Sequence, residues 1–270
     1  MRTAPHSASS ENLGFEVAGV RIAPGGPLFV IAGPCSVESF EQYRATALAV
    51  KEAGANLLRG GAFKPRTSPY AFQGLGGEGL EIMRAVANEV KMGLVTEAMA
   101  AEDVPLVARH ADMIQVGARN MSNASLLQSV AETGKPILLK RGMTASVEEL
   151  LIAAESLMGF GNETVAVCER GSRTSEPSLR NNLDATAVAE MRLLSGLAVV
   201  VDPSHGTGRT DLVEGAACAG IAAGADGVMV EVHPDPAQAL SDGYQSLASE
   251  DFTEFMGTIR RVAAAVGRRT

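Results

Sequence analysis

The sequence has few cysteines and lacks any long apolar segment. Its three cysteines, Cys35, Cys168 and Cys218, are odd in number and show no Cys-x-x-Cys spacing, which argues against a disulfide framework and against a zinc finger. No run approaches the roughly 20 apolar residues of a membrane-spanning helix, and residues 1–14 lack the apolar stretch of a signal peptide. We therefore expect a reduced cytoplasmic protein with a disordered tail over residues 1–14.

Basic residues are also in the minority. The chain of 270 residues has 23 lysines and arginines against 31 aspartates and glutamates, which gives a net charge of −8. This balance argues against nucleic acid or an anionic membrane surface as the main partner. The few cations nevertheless collect at the ends of apolar runs, and this pattern predicts a local site for a small anionic molecule.

Eight short runs rich in Val, Ile and Leu recur along the chain; they begin at residues 28, 56, 93, 113, 136, 164, 197 and 227. The segments between them have helical spacing, and this alternation predicts parallel strands. We expect residues 15–270 to form a single α/β domain, a (β/α)8 TIM barrel without a separate regulatory domain. Residues 15–27 are expected to form a short β-hairpin that closes the bottom of the barrel.

A doubly wound open sheet is the alternative fold, since it has the same alternation of strands and helices. Candidate site residues follow nearly all eight strands, whereas an open sheet would concentrate them near one switch point. Residues two apart on a strand share a face, so five pairs are expected to point inward: Leu57 with Arg59, Gly117 with Arg119, Leu138 with Lys140, Cys168 with Arg170, and Met229 with Glu231. The charged member of each pair stands last, at the barrel mouth. The distribution favours the barrel, with its active site at that mouth.

The cations at the predicted mouth number six, namely Arg59, Lys64, Arg66, Arg119, Lys140 and Arg170. Arginine presents a planar fork to phosphate or carboxylate, and lysine supplies a movable charge and a proton. One or two of the six are expected to pair with acids such as Glu97, Glu169 or Asp202. The remainder are enough for a ligand set that has two phosphates and a carboxylate.

A second group combines sulfur, nitrogen and oxygen donors, in Cys35, His205, Glu231 and Asp242. Cys35 follows the first strand, His205 follows the seventh and Glu231 ends the eighth, and the first and eighth strands are neighbours in a closed barrel. Such a donor set suits zinc, iron, manganese or cobalt better than calcium or magnesium. Taken alone, Cys35 would more often be a small buried residue. His233, two residues from Glu231, is a candidate either to hold a metal ligand in place through a hydrogen bond or to act as an alternative ligand.

At these residues the sequence resembles a known family. The segments IAGPCSVES, LRGGAFKPRTSPYAFQG, TEAM, QVGARNM, LLKRGM, CERG, VDPSHGTGR and VEVHPDPAQALSDGYQSL, in this order over about residues 15 to 265, are similar to the motifs of 3-deoxy-D-arabino-heptulosonate 7-phosphate (DAHP) synthase, type I, beta subfamily. The resemblance implies a TIM barrel. It also implies the condensation of phosphoenolpyruvate with erythrose 4-phosphate, which opens the shikimate pathway to aromatic compounds.

The resemblance also implies roles for single residues. A divalent metal ion, Mn2+, Fe2+, Co2+ or Zn2+, is held by Cys35, His205, Glu231 and Asp242. Phosphoenolpyruvate is bound by Arg59, Lys64, Arg119, Lys140 and Arg170, with the backbone of Gly117 and Ala118. Lys64 is also a proton donor, and Glu97 orients the water molecule that adds to phosphoenolpyruvate. The acceptor is bound by Pro65, Arg66 and Thr67.

The resemblance further implies a homo-oligomer, either a dimer or a homotetramer, and a separate chorismate mutase as a partner protein. Only 27 residues precede the first barrel strand, too few for the family's regulatory modules, so phenylalanine, tyrosine and tryptophan are not expected to inhibit. Ser172, Ser175 and Tyr244 depart from the family's pattern at positions that affect packing or rate.

Two other functions compete with this one. 3-Deoxy-manno-octulosonate 8-phosphate synthase uses the same barrel with arabinose 5-phosphate as acceptor, but its acceptor loop resembles KANRS, whereas residues 64–68 here read KPRTS. The other competing function is that of a non-catalytic barrel that binds an anion or a metal. The complete set of metal ligands and phosphate-binding residues argues against it.

Overall fold

A computed structural model describes residues 14–64 and 70–269. Within them, eight parallel strands form a closed barrel: β3 Phe29–Gly33, β4 Leu57–Gly60, β5 Gly93–Ala98, β6 Met113–Val116, β7 Ile137–Lys140, β8 Val165–Glu169, β9 Ala198–Val201 and β10 Gly227–His233. Each strand pairs with the next, and β10 pairs with both β9 and β3, so that Glu231 lies opposite Gly33. The eight predicted strands and the predicted barrel are confirmed. Of the tail predicted at residues 1–14, only Gly14 lies within the described residues.

Helices surround the barrel: α1 Phe40–Glu52, α2 Gly76–Val90, α3 Val104–His110, α4 Ala124–Glu132, α5 Val147–Gly159, α6 Ala185–Leu194, α7 Pro203–Thr207, α8 Thr210–Ala222 and α9 Phe252–Ala265. Side-chain caps fix several starts, since Ser39 accepts from Gln42 N at α1, and Ser146 and Glu149 form a capping box at α5. None of the helices in the described ranges is long and apolar enough to cross a membrane.

The short hairpin predicted ahead of the barrel is present. It consists of β1 Phe15–Val17 and β2 Val20–Ile22, which pair antiparallel. Ala18 and Gly19 join them with φ of 48° and 82°, as a two-residue hairpin turn requires. Phe15, Val17 and Ile22 are buried against the apolar side chains inside the barrel. The hairpin therefore closes the lower end of the barrel.

The core has two parts, one between the strands and the helices and one inside the barrel. The side chains that fill the inside include Phe29, Ile31, Leu57, Val95, Met113, Leu138, Cys168, Val200 and Met229. Four of them, Leu57, Leu138, Cys168 and Met229, are the residues that the alternation along the strands assigned to the inside. The next inward positions along these strands are Arg59, Lys140, Arg170 and Glu231. The apolar filling thus ends at a charged layer.

The chain after β10 was not predicted in detail. A two-residue strand, β11 Leu247–Ala248, pairs parallel with the end of β10, with Val232 opposite Leu247. Because β11 lies beside β10, the intervening residues 234–246 fold back in two short 3-10 turns, Pro236–Gln238 and Gly243–Gln245. This return places Asp242 over the barrel mouth.

Candidate active site

Charged and polar side chains from most strand ends line one pocket at the mouth. Its lining includes Cys35, Arg59, Lys64, Glu97, Gln115, Gly117, Ala118, Arg119, Lys140, Arg170, Arg180, His205 and Asp242. Glu231 is fully buried and contacts Arg59 from below. The described residues predicted for the site therefore meet there. Pro65, Arg66 and Thr67, predicted to bind the acceptor, lie outside the described residues.

Cys35, Glu231 and Asp242 come together on neighbouring elements. One donor atom from each lies within 4.8 Å of the other two, and Cys35 Sγ is 3.4 Å from Asp242 Oδ2. Cys35 follows β3, Glu231 lies on β10 beside it, and Asp242 is on the returning loop. Burial, together with the Glu231 charge, raises the pKa of the Cys35 thiol to about 12. A divalent cation would reverse this effect, because a coordinated thiol loses its proton.

His205 adjoins this trio from α7, where the local sequence fixes its position. Asp202 caps α7 by accepting from His205 N at 3.0 Å, and Pro203 occupies the first turn. The same carboxylate lies 2.8 Å from His205 Nδ1. An ionised carboxylate only accepts hydrogen bonds, so the ring proton lies on Nδ1, which donates to Asp202, and Nε2 keeps a free lone pair in the neutral ring. Burial lowers the pKa of His205 and so favours the neutral form.

The lone pair of His205 Nε2 faces a second acceptor, since Glu231 Oε1 lies 3.5 Å away. Two acceptor atoms that face each other in a buried site are stabilised by a cation between them. Sulfur, imidazole and carboxylate donors are also the set that zinc, iron, manganese and cobalt bind. The residues present therefore fit a transition-metal ion.

Two of the predicted cations pair with buried acids. Arg59 Nη1 donates to Glu231 Oε1 at 2.7 Å, and Lys140 pairs with Asp202. Although burial acts to raise the pKa of Glu231, the positive charges of Arg59 and Lys64 hold it below its usual value. These two pairs agree with the expectation that one or two of the six cations pair with acids, and the Lys140 pair uses one of the acids named, Asp202. Glu169 pairs instead with a residue outside the predicted set, Arg141, at 2.8 Å.

The other described cations of the set are less compensated. Arg170 is buried, burial lowers its pKa, and the neighbouring Arg180 guanidinium lowers it further. Arg119 lies in a 3-10 turn, Ala118–Asn120, just beyond the end of β6; it is exposed and lines the pocket at the mouth. Lys64 Nζ donates to Cys35 Sγ at 3.1 Å and also to the Cys35 carbonyl. These cations give the pocket its capacity for an anion.

Glu97 has a partner that the sequence analysis missed. Gln115 Nε2 donates to Glu97 Oε2 at 2.8 Å from the adjacent strand. A Cβ added at Gly117 would lie 2.0 Å from Glu97 Oε1, so this glycine leaves room for the carboxylate. Gln115 was detectable, because it is the polar residue at an inward position of the otherwise apolar strand Met113–Val116.

Arg180 was also missed, and it lies in the loop between β8 and α6, where no periodicity marks it. His233, considered as an alternative ligand, has both ring nitrogens engaged elsewhere. Its Nε2 is 3.4 Å from Glu38 Oε2, and its Nδ1 accepts from Asp235 N at 3.1 Å.

Comparisons with known proteins agree with this geometry. The model of the DAHP synthetase I family matches residues 7–266. A phospho-2-dehydro-3-deoxyheptonate aldolase of Thermotoga maritima is 50% identical over 242 residues, which are 90% of this chain and 72% of that protein. A 2-dehydro-3-deoxyphosphooctonate aldolase of Acidithiobacillus ferrooxidans is 33% identical over 80% of this chain and 83% of its own length.

Solved structures are similar as well. The crystal structure of the phospho-2-dehydro-3-deoxyheptonate aldolase (DAHP synthase) from Thermotoga maritima superposes with a TM-score of 0.92 at 48% identity, covering 95% of this chain and 75% of that one. A truncated form of 3-deoxy-D-arabino-heptulosonate 7-phosphate synthase from the same organism gives 0.88 at 44% identity, covering 95% of this chain and 94% of that one.

Proposed function

The chain belongs to the DAHP synthetase I family, and on that premise we propose that its barrel mouth condenses phosphoenolpyruvate, erythrose 4-phosphate and water to DAHP and phosphate. This reaction is the first step of the shikimate pathway. The observation that carries the proposal is the convergence of the cation set with the Cys35, Glu231 and Asp242 trio in one pocket. An anionic donor and an acceptor held by a metal ion would meet there.

The cations divide into two groups by their existing partners. The charges of Arg59 and Lys140 are already neutralised by Glu231 and Asp202. These two cations therefore add little net charge to the pocket and would orient a bound anion through hydrogen bonds. Arg119, Arg170 and Lys64 supply the net positive charge that a phosphate and a carboxylate require. Phosphoenolpyruvate carries both groups, and Gly117 and Ala118, whose backbone is proposed to help bind it, line the same pocket.

Cys35, His205, Glu231 and Asp242 would hold the divalent ion, whether Mn2+, Fe2+, Co2+ or Zn2+. When bound, the ion supplies Lewis acidity toward the acceptor's aldehyde oxygen. Asp202 fixes the His205 ring through Nδ1, and Arg59 holds the Glu231 carboxylate. These contacts keep two of the four ligands in one orientation before any substrate arrives.

Lys64 and Glu97 are the proposed proton and water residues. Lys64 Nζ lies beside Cys35, where it holds a proton close to the reacting carbon. Glu97, oriented by Gln115, would align the water that adds at C2 of phosphoenolpyruvate after C3 has bonded to the aldehyde carbon. The aldehyde oxygen takes a proton, and the phosphate leaves with cleavage of its bond to C2.

Residues 64–68, KPRTS, are proposed to select the acceptor. Arg66 and Thr67 would bind the acceptor phosphate, and Pro65 would stiffen the turn between them and the metal ligands. A four-carbon aldose phosphate should then fit best. The octulosonate 8-phosphate synthase activity, with arabinose 5-phosphate, is the alternative, and the 33% identity to such an enzyme against 50% to the heptulosonate one disfavours it.

The test is an assay of phosphoenolpyruvate consumption with erythrose 4-phosphate and with arabinose 5-phosphate. The purified protein is measured as prepared, after chelation, and after addition of Mn2+. We expect turnover with erythrose 4-phosphate that chelation abolishes and Mn2+ restores. Faster turnover of arabinose 5-phosphate would assign the alternative function, and no turnover with either acceptor would favour a binding protein.

The oligomeric state and the cellular compartment of the enzyme are two further proposals. We place the enzyme in the cytoplasm because all three cysteines are free thiols, as reducing conditions keep them. A homo-oligomer, either a dimer or a tetramer, is supported by large apolar side chains left in water, such as Leu193 at 78% exposure. Light scattering after size exclusion, with and without a separate chorismate mutase, measures both this state and the proposed partner.

A further inference from the structure

We propose that Arg180 is a positioning residue that preorganises the carboxylate side of the metal site. It holds Asp242 directly and Glu231 through Gln245, and it ties their loop to the helix that presents His205. The proposal rests on the proposed metal dependence. Nothing in the sequence marked Arg180, because it lies in an irregular loop ten residues beyond Arg170.

The guanidinium group lies where three side chains of the returning loop meet. Arg180 Nη1 is 2.7 Å from Gln245 Oε1, 3.2 Å from the Tyr244 hydroxyl and 3.3 Å from Asp242 Oδ2. Tyr244 OH in turn donates to the other oxygen of Asp242 at 3.2 Å. Both oxygens of the Asp242 carboxylate are therefore fixed from the side away from the barrel.

Gln245 extends this contact to the buried carboxylate. It is fully buried, its amide oxygen accepts from Arg180, and its Nε2 donates to Glu231 Oε2 at 2.6 Å. Arg59 holds the other oxygen of Glu231 from the barrel side. Because an amide has distinct donor and acceptor ends, the charge of Arg180 also fixes which end of Gln245 faces Glu231.

The backbone at Arg180 is anchored to the helix of His205. Arg180 N donates to Thr207 O at 3.0 Å, and the next residue, Asn181, donates from Nδ2 to His205 O at 3.0 Å. Gly208 has φ of 70°, and a Cβ there would lie 2.2 Å from Arg180 Cβ. A glycine is thus needed for the loop and α7 to approach this closely. Arg180 therefore joins the returning loop to α7, in addition to the bonds that Thr210 Oγ1 donates to the Tyr244 and Ser246 carbonyls.

The loop needs such an anchor because its backbone is strained. Asp242 has φ of 52° and ψ of 31°, the left-handed region that residues other than glycine seldom adopt. Surrounding contacts must hold it there, and those of Arg180 and Tyr244 act on its side chain. Tyr244 is exposed, whereas Arg180 is half-buried, so Arg180 is the less solvent-exposed contact of the two.

An arginine that lines an anion pocket also suggests substrate binding. The contacts favour positioning, since Nη1 donates to Gln245 and Tyr244 and also forms an ion pair with the Asp242 carboxylate. An experiment can distinguish a residue that positions metal ligands from one that binds substrate. A positioning residue changes metal affinity in the absence of substrate, and a substrate ligand changes KM at saturating metal.

The experiment titrates the metal-free protein with Co2+ and follows the charge-transfer absorption of the Cys35 thiolate bound to cobalt. The variants are Arg180→Met, Arg180→Lys and Tyr244→Phe. The matched control is Arg209→Met, which removes an exposed arginine paired only with Asp211 nearby. Thermal melting of each metal-free variant reports whether it is folded.

We expect Arg180→Met to bind Co2+ about 10- to 100-fold more weakly, the usual cost of losing an outer contact to a metal ligand. Arg180→Lys should lose less Co2+ affinity than Arg180→Met, and Tyr244→Phe should lose less than Arg180→Lys. Arg209→Met should keep the Co2+ affinity of the unmodified protein. At saturating Co2+, KM for both substrates should stay within about twofold, since positioning residues act on the metal ligands and not on substrate. If Arg180→Met does not fold, Arg180→Lys decides the question by the same comparison.

Unchanged Co2+ affinity in the folded Arg180 variants would overturn the proposal. A raised KM for one substrate with unchanged Co2+ affinity would assign Arg180 to that substrate instead. A failure of the proposed metal dependence looks different, because the unmodified protein would then show no thiolate-to-cobalt band at all. A failure of the proposed reaction alone would leave that band in place and would appear only in the acceptor assay.

Discussion

Asp226 is expected to be the most sensitive single position for stability, although it lies far from the chemistry. It precedes β10 at the lower end of the barrel and is fully buried. Its Oδ1 accepts from Gly25 N at 2.7 Å and from Arg268 at 2.6 Å. Its Oδ2 accepts from Val199 N at 2.9 Å and lies 3.2 Å from Arg192. One carboxylate thus joins the segment after the hairpin, β9, α6 and the C-terminal segment.

The substitution Asp226→Asn keeps the shape and removes this arrangement. An amide has one acceptor end, so its NH2 must face either Gly25 N or Val199 N and leave that buried N–H unpaired, at about 1–3 kcal/mol. The side chains of Arg268 and Arg192, 10% and 28% exposed, also lose their counter-charge. Removing one partner of a buried ion pair costs about 3–5 kcal/mol. We take the second range for the whole change, because the two effects overlap.

For a domain of this size each kcal/mol lowers the melting temperature by about 2–4 °C, so Asp226→Asn should lower it by roughly 6–20 °C. Circular dichroism melting measures this, with Asp211→Asn as the control, since Asp211 is exposed and should show no change. The kcat at 25 °C should stay unchanged, because the lower face of such barrels serves stability. A fall of under about 2 °C, or a lost kcat in folded protein, would refute the reasoning.

Three further substitutions test the site. Gly117→Ala should lower kcat more than tenfold with little change in melting, because the new methyl would displace Glu97; an unchanged kcat would remove Glu97 from catalysis. Cys35→Ser should weaken Mn2+ binding in equilibrium dialysis and lower kcat, whereas full activity after chelation would exclude the metal site. Arg66→Ala should raise the acceptor's KM, since a lost charged contact costs about 1.5–3 kcal/mol, and change that of phosphoenolpyruvate much less.

The barrel and its charged mouth could be predicted because both follow from short-range regularities. Alternation along each strand assigned Leu57 and Leu138 to the inside and thereby placed Arg59 and Lys140 at the mouth. Closure of the barrel then brought the ends of the first and eighth strands together. The meeting of Cys35 and Glu231 follows from that closure alone.

The contacts that the sequence could not provide depend on irregular backbone. Asp242 was among the predicted ligands, but its approach to Cys35 and Glu231 depends on the pairing of β11 with β10, which folds the intervening loop back. A two-residue strand has no detectable periodicity. Arg180 meets Asp242 only because its loop is bonded to α7 through Thr207 O. Gln115, in contrast, could have been predicted. Its inward position follows from the alternation along the strand, and it is the polar residue of an otherwise apolar strand.

The apolar filling of the barrel also determines how far the charges at the mouth act. Side chains such as Met113, Leu138 and Met229 form an apolar floor of low dielectric constant beneath the cations, and the hairpin extends it. Field lines avoid such a medium and leave through the opening into water, so the mouth attracts anions although the molecule carries a net charge of −8. Capture of phosphoenolpyruvate should then slow as salt rises from about 0.01 to 0.15 M, where the Debye length falls from about 30 to 8 Å.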